Sequence, residues 1–158
     1  MKHLKILLKT LTAAFSLLMI FSCASSPEKK IDSMYVMVYD YESGEIMDVS
    51  VFMDGKEIGK TDIYGRLMYP CDAEKKAVIR VGKTGYESIE TNACIKPGIV
   101  LYFKMGSGSY YAQKAEKLLD ENSVHEALKM IDTALKIQHR KDWLFLRNVI
   151  LRRCENAE

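Results

Sequence analysis

Few side chains in this sequence could support catalysis. Beyond the first 22 residues the histidines are His125 and His139, and Ser123 and Glu126 lie close to His125. Those residue types can form a nucleophile and a base, but Ser123-Val-His-Glu126 also matches the capping box that opens a helix. The sequence has no H-x-x-x-H, C-x-x-C or G-x-S-x-G pattern and no glycine-rich phosphate loop. We therefore predict no enzymatic activity, no catalytic residue, no cofactor and no metal site.

The amino terminus carries the pattern of a secretory signal peptide at residues 1–22. Three lysines precede an apolar run from Leu11 to Phe21, and no acidic residue occurs in this segment. The run is shorter than the roughly 20 residues that a membrane-spanning helix needs, which favours a signal peptide. The alternative interpretation of this segment is a short membrane helix or a buried helix. The same lysines account for the small basic excess of the chain. The remainder is nearly neutral, so nucleic acid is not an expected partner.

The residues Ile20-Phe21-Ser22-Cys23 resemble the lipobox of bacterial lipoproteins, in which an aliphatic and a small residue precede a cysteine. The resemblance implies cleavage before Cys23, a diacylglycerol thioether on its sulfur and acylation of the new amino terminus. Several acyl chains suffice for stable anchoring. In such lipoproteins a residue other than aspartate after the cysteine, here Ala24, permits transport to the outer membrane. We therefore expect an extracytoplasmic, lipid-anchored protein of the cell envelope, with the outer membrane favoured.

Residues 23–33 begin with the lipidated cysteine and contain few apolar side chains. A segment of this composition cannot bury enough apolar surface to order itself. We predict a flexible tether that holds the folded part of the chain close to the membrane.

The period of the sequence changes to two over residues 34–105. Val36 and Val38 alternate with Tyr35, Met37 and Tyr39, and further short β-rich runs are separated by turn residues. About seven strands with no helix between them predict an α+β chain that begins with a small antiparallel β-sandwich.

The run from Val49 to Arg66 contains the pattern V-x-V, D-G, G-x-T and G, and Val81-Gly-Lys-Thr-Gly-Tyr86 follows it. In this order the segments resemble the carboxypeptidase regulatory-like domain and the related PEGA domain. The resemblance covers residues 34–105 and implies a prealbumin-like sandwich that accompanies enzymes, transporters and envelope proteins without performing chemistry. The Pro-Glu-Gly-Ala string of the PEGA family is absent, so both relatives stay open.

Turn and aromatic residues of this segment allow two interpretations. Gly55, Gly59 and Gly65 fall where turns need a positive φ, and Asp54 and Asp62 are expected to open turns rather than to bind calcium. Tyrosines pack in the core or on the sheets, or form a glycan- or peptide-stacking platform where several share an exposed face. The tyrosines in question are Tyr35, Tyr39, Tyr64, Tyr69, Tyr86, Tyr102, Tyr110 and Tyr111.

Residues 106–109, Gly-Ser-Gly-Ser, predict a flexible hinge before a helical segment at 110–158. Apolar residues there recur at helical spacing. Asn122 is expected to close the first helix and the capping box at Ser123 to open the second. A third helix is expected near Asp142 and carries Trp143.

The first helix pair, from Tyr110 to about His139, resembles one tetratricopeptide repeat, and the third helix resembles the start of another. Such repeats bury their apolar faces against neighbours, so one and a half repeats need a partner. That partner is the sandwich, a second copy of the chain or another envelope protein. Trp143 is the interaction residue that we expect either to dock internally or to anchor such a partner.

Cys71, Cys94 and Cys154 form an odd set for an oxidising compartment. One disulfide and one free thiol are expected, with Cys71 and Cys94 as the candidate pair.

The leading interpretation is a non-enzymatic, membrane-anchored envelope lipoprotein that acts as a protein–protein interaction or scaffold module. The alternative is a carbohydrate- or peptidoglycan-binding envelope module, which an exposed, coplanar set of aromatic residues on one sheet would favour.

Overall fold

The computed structural model describes residues 33–42 and 44–155. The predicted signal peptide at 1–22, the predicted lipidation residue Cys23 and the predicted tether up to residue 32 lie outside the described residues. Within these residues, seven strands precede three helices, and we call residues 33–105 the β region and residues 108–155 the helical region. The elements are β1 (Ser33–Asp40), β2 (Ser50–Met53), β3 (Lys56–Lys60), β4 (Arg66–Pro70), β5 (Lys75–Gly82), β6 (Ile89–Ile95), β7 (Val100–Met105), α1 (Gly108–Asp120), α2 (Val124–Ile137) and α3 (Lys141–Glu155).

The strands form two sheets. Sheet A has the order β4-β1-β7 and sheet B the order β3-β2-β5-β6. The expectation of a purely antiparallel arrangement is wrong, because β1 and β7 pair in parallel. The chain reaches β7 by crossing from sheet B, and only a tight hairpin forces two strands to run antiparallel. The α+β class, with two sheets followed by helices, is confirmed.

One hydrophobic core collects residues from both sheets. Met34, Val36 and Val38 are fully buried, since the period of two points alternate side chains of β1 to the same side. Sheet B contributes Val51, Met53, Ala77, Ile79, Val81 and Ile95, and β7 contributes Phe103 and Met105. A slip of one residue in any register would expose these side chains, so burial fixes the register.

The turns between strands are held by specific hydrogen bonds. The buried Thr61 hydroxyl donates to the carbonyl of Ile46 at 2.7 Å and accepts from the amide of Val49 at 3.0 Å. Asp62 Oδ1 accepts from the amides of Tyr64 and Arg66, both at 2.9 Å. Asp62 therefore opens a turn, as expected.

The predicted hinge at 106–109 is wrong. Gly106 and Gly108 are buried, and Ser107 is the N-cap of α1, with its hydroxyl accepting from the amide of Tyr110 at 3.0 Å. A capping serine turns the glycine-rich segment into the start of a helix. Asn122, at φ 60°, follows α1 as expected.

The other predicted helix boundaries differ in detail. The side chain of Ser123 makes no capping hydrogen bond to α2, so the predicted capping box does not form. Helix α3 begins at Lys141, which places Asp142 in its first turn instead of before it. Within the described residues, no helix is long and apolar enough to cross a membrane.

The helices bury their apolar residues in a cluster separate from the core of the β region. Small side chains lie at the contact positions, where Ala115, Ala127 and Ala134 are fully buried and let the helices approach closely. Ile131, Ile150 and Trp143 fill the space between them. Sequence reasoning expected the apolar faces of the helices to need a partner outside the helices, whereas α1, α2 and α3 partner one another.

The two regions meet at a cluster of tyrosines. The rings of Tyr41 and Tyr110 stack with centroids 4.9 Å apart, and Tyr111 meets both rings edge-on. Glu87 accepts from the amide of Gly106 at 2.6 Å. Burial raises the pKa of Tyr111, and hydrogen bonding to the Glu87 carboxylate raises it further. The junction therefore holds a protonated phenol beside a carboxylate.

Candidate functional site

The outer surface of sheet A is built by three strands whose outward residues align. In β1 the outward residues are Tyr35, Met37 and Tyr39, because their neighbours point into the core. The register places Tyr35 between Met68 of β4 and Val100 of β7. It likewise places Met37 between Arg66 and Tyr102, and Tyr39 beside Lys104. The apolar residues thus lie in three adjoining rows. The first holds Met68, Tyr35 and Val100, the second Met37 and Tyr102, and the third Tyr39.

The side chains of these rows are open to solvent. Tyr102 is 68% exposed, Met68 61% and Val100 38%, while the three residues of the central strand are half-buried by their neighbours. Arg66 and Lys104 are the charged outward residues of these strands. We call the apolar set the sheet A face, and it consists of Tyr35, Met37, Tyr39, Met68, Val100 and Tyr102.

The chemistry of the sheet A face suits binding. Exposed apolar residues that lie together mark interaction sites, unlike apolar residues scattered singly. Methionine adapts its shape to a partner, and tyrosine offers a large ring with one polar tip. Apart from the tyrosine hydroxyls these six side chains carry no strong hydrogen-bonding group. The face can therefore bury apolar surface but offers few groups for orienting a polar ligand.

Trp143 lies inside the helical region. The residue is 6% exposed, and its ring packs on Gly108, where an added Cβ would come within 2.7 Å of the ring. The guanidinium of Arg140 sits 4.8 Å from the ring centroid. Of the two predicted roles, the structure shows internal packing, and the burial leaves too little ring surface for an interface anchor.

The described cysteines are free thiols. Cys71 is buried in the core of the β region, whereas Cys94 is exposed on the outer surface of β6 and its Sγ lies 3.1 Å from the carboxylate of Glu74. Cys71 lies in the core and Cys94 on the outer surface, so the expected pair is not formed. The hydrogen bond to Glu74 raises the pKa of the Cys94 thiol.

The remaining candidate residues do not assemble into a reactive site. His125 and His139 are both exposed. Within residues 33–42 and 44–155, no group of three or more histidine, cysteine, aspartate or glutamate side chains could hold a metal ion. Hydrogen bonding from the backbone of Arg66 lowers the pKa of Asp62, consistent with a carboxylate used in a turn.

Two solved structures are similar to part of this chain. The Bacillus anthracis TIE protein is 13% identical, with a TM-score of 0.41, over 49% of this chain and 17% of that chain. The 3-chlorocatechol 1,2-dioxygenase from Rhodococcus opacus 1CP is 14% identical, with a TM-score of 0.33, over 52% of this chain and 62% of that chain. The chain thus spans less than two thirds of either protein. No family model and no curated protein matches the sequence.

Proposed function

We propose that the protein is a non-enzymatic envelope lipoprotein, anchored through Cys23, whose sheet A face binds another envelope protein. In this proposal the β region is a prealbumin-like sandwich of the carboxypeptidase regulatory-like or PEGA kind, and the helical region is a tetratricopeptide-like scaffold. The observation that carries the proposal is the alignment of six outward apolar residues across β4, β1 and β7.

A protein partner suits the composition of this face. Tyrosine and methionine are enriched at the centres of protein interfaces, and charged residues are depleted there. The sheet A face has this arrangement, because Arg66 ends the row of Met37 and Tyr102, and Lys104 lies beside Tyr39. The partner that fits is an envelope protein with an apolar patch of its own.

Site-specific photocrosslinking tests this interface. A photoreactive phenylalanine analogue replaces Tyr102 in the full chain, produced in its native cells. Asn92, exposed on the outer surface of sheet B, is the matched control position. We expect one discrete adduct with a different envelope protein from position 102 and none from position 92. Met68→Lys in the same chain should abolish the adduct. Equal labelling from both positions would contradict the proposal, and an adduct of the chain with itself would assign the face to a second copy.

Glycan binding is the second candidate function. Tyr35, Tyr39 and Tyr102 share the sheet A face, and exposed aromatic rings on one face can stack on sugars. Two methionines and a valine lie among these rings and offer no hydrogen bonds to sugar hydroxyls, which favours the protein partner. Adducts to a polysaccharide instead of a protein from position 102 would reverse this order.

The anchor is tested separately. Labelled palmitate should enter the wild-type chain and not a Cys23→Ser variant, because the lipobox resemblance assigns the thioether to that sulfur. Equal labelling of both chains would contradict lipidation at Cys23 and would leave the interface of the β region untouched.

A further inference from the structure

A groove of about 550 Å³ lies on the outer surface of sheet B. It begins where β5 ends at Gly82 and extends over the neighbouring residues of β2 and β3, on the sheet opposite the sheet A face. This volume falls within the range of small-molecule sites. The lining residues are Asp48, Ser50, Phe52, Lys60, Arg80, Gly82, Lys83, Thr84, Tyr86 and Ser88.

The groove is positively charged. Three cations, Lys60, Arg80 and Lys83, line it against one carboxylate, that of Asp48. The ion pairs between described residues involve other basic residues, namely Arg66, Lys117, Arg140 and Arg147. Lys83 Nζ donates to the carbonyl of Met47 at 2.7 Å, which holds the ammonium in place and leaves two of its protons for a ligand. Within the described residues, the charges of these cations are therefore available to an anion.

Arg80 is held ready for an anion by stacking. Its guanidinium lies 3.8 Å from the ring centroid of Phe52, its partner on the adjacent strand. A cation over an aromatic face is attracted by the ring, and stacking fixes the guanidinium plane while leaving its N–H edges free. Such an edge matches the two oxygens of a carboxylate or phosphate. Arg80 is half-buried, so solvent screens this contact less than it would an exposed one.

The rest of the lining consists mainly of hydroxyl groups. Ser50, Thr84, Tyr86 and Ser88 surround the cations. The hydroxyl of Ser88 donates to the carbonyl of Val81 at 3.1 Å, and its oxygen can still accept a hydrogen bond. Hydroxyls that both donate and accept match the hydroxyls of a sugar. The half-buried ring of Tyr86 adds an apolar surface of the kind on which a sugar can rest.

We propose that this groove binds an acidic saccharide, with the carboxylate or phosphate of the sugar on Arg80 and its hydroxyls on the neutral side chains. The groove is short, and the chain outside the leader is nearly neutral, which disfavours a long polyanion such as nucleic acid. The site lies on a different sheet from the protein interface. The proposal of saccharide binding therefore does not depend on whether the sheet A face binds a partner.

Calorimetric titration of the full chain in detergent tests the proposal with three probes. The probes are hexagalacturonate, uncharged maltohexaose and inorganic phosphate. We expect hexagalacturonate to bind with an affinity that falls as salt is raised, maltohexaose not to bind measurably, and phosphate to bind more weakly than hexagalacturonate. Equal binding of the two saccharides would overturn the requirement for an anion, and phosphate binding as tight as that of hexagalacturonate would overturn the role of the hydroxyls.

Variants decide whether binding occurs in this groove. Arg80→Gln should weaken hexagalacturonate binding by about tenfold or more, since a charge-assisted contact is lost. Arg152→Gln makes the same charge change at an exposed position of α3 and should leave the affinity unchanged. Lys60→Gln changes an exposed residue of the groove and leaves the contact between Arg80 and Phe52 intact. If Arg80→Gln misfolds, a loss of affinity in Lys60→Gln still places binding in this groove. Wild-type affinity in both groove variants would overturn the proposal.

Discussion

The β region and the helical region differ in how many of their large apolar side chains are exposed to solvent. Among the described residues, eight large hydrophobic side chains are exposed. Seven belong to the β region and one, Phe145, to the helical region. Conversely, the single tryptophan of the chain, Trp143, is buried among the helices. Exposed apolar surface is therefore concentrated in the β region, in its turns and on sheet A, although the sequence favoured the helices as the binding surface.

The difference follows from the geometry of the elements. A helix presents one apolar stripe, and three short helices with alanines at their contacts can bury these stripes against one another. A strand presents two rows of side chains, and a core between two sheets covers only the inner row. Outer residues that stay apolar, such as Met68, Val100 and Tyr102, are then left facing solvent.

The largest expected effect is on the helical region. Trp143→Ala should lower the free energy of unfolding by about 3 to 5 kcal/mol, because a buried aromatic ring is removed from its contact with Gly108. Chemical denaturation of the full chain measures it. At temperatures where the variant stays folded, crosslinking from position 102 should persist, since the sheet A face is unchanged. Loss of the adduct from a folded variant would show that the helices contribute to the interface.

The turn that brings β4 to β1 should be nearly as sensitive. Gly65 has φ 67°, and an added Cβ would lie 2.5 Å from the carbonyl oxygen of Val38. We expect Gly65→Ala to cost about 3 kcal/mol or more, from left-handed strain and overpacking together. Gly55→Ala is the matched control, because Gly55 has φ 82° with no atom within 4 Å of the added Cβ. It should cost about 1 kcal/mol, and equal losses would show that contact with Val38 is unimportant.

The junction between the regions should respond to alkaline pH. Burial and the Glu87 carboxylate raise the pKa of Tyr111 in the folded protein. Its contribution to stability is therefore complete below pH 10, the ordinary tyrosine pKa, and is lost as pH rises above it. The loss is about 1.4 kcal/mol per pH unit. Tyr111→Phe should flatten the dependence of the unfolding free energy on pH above 10. Tyr102→Phe, an exposed tyrosine, is the control, and an unchanged slope in Tyr111→Phe would contradict this role.

Sequence reasoning was reliable where the signal is local. The alternation in Tyr35–Tyr39 predicted β1, and Asp62 and Gly65 predicted a turn. The parallel pairing of β1 with β7 was missed, because pairing between distant strands has no local signature. For the same reason the juxtaposition of Met37 with Tyr102, and of Phe52 with Arg80, could not be predicted. The hinge prediction failed because a glycine-serine run can also supply a helix N-cap, and Ser107 does so.

The central claim is that the sheet A face, and not the helical region, recognises a protein partner. Tyr102→Lys and Asn92→Lys each add one positive charge at an exposed position, the first on sheet A and the second on sheet B. Each should alter the unfolding free energy by less than about 0.5 kcal/mol. The measurement is recovery, from crosslinked membranes, of the partner identified by the adduct at position 102, using each variant of the full chain. The account predicts that Tyr102→Lys loses the partner and that Asn92→Lys retains it. Retention by Tyr102→Lys at the wild-type level would contradict the account.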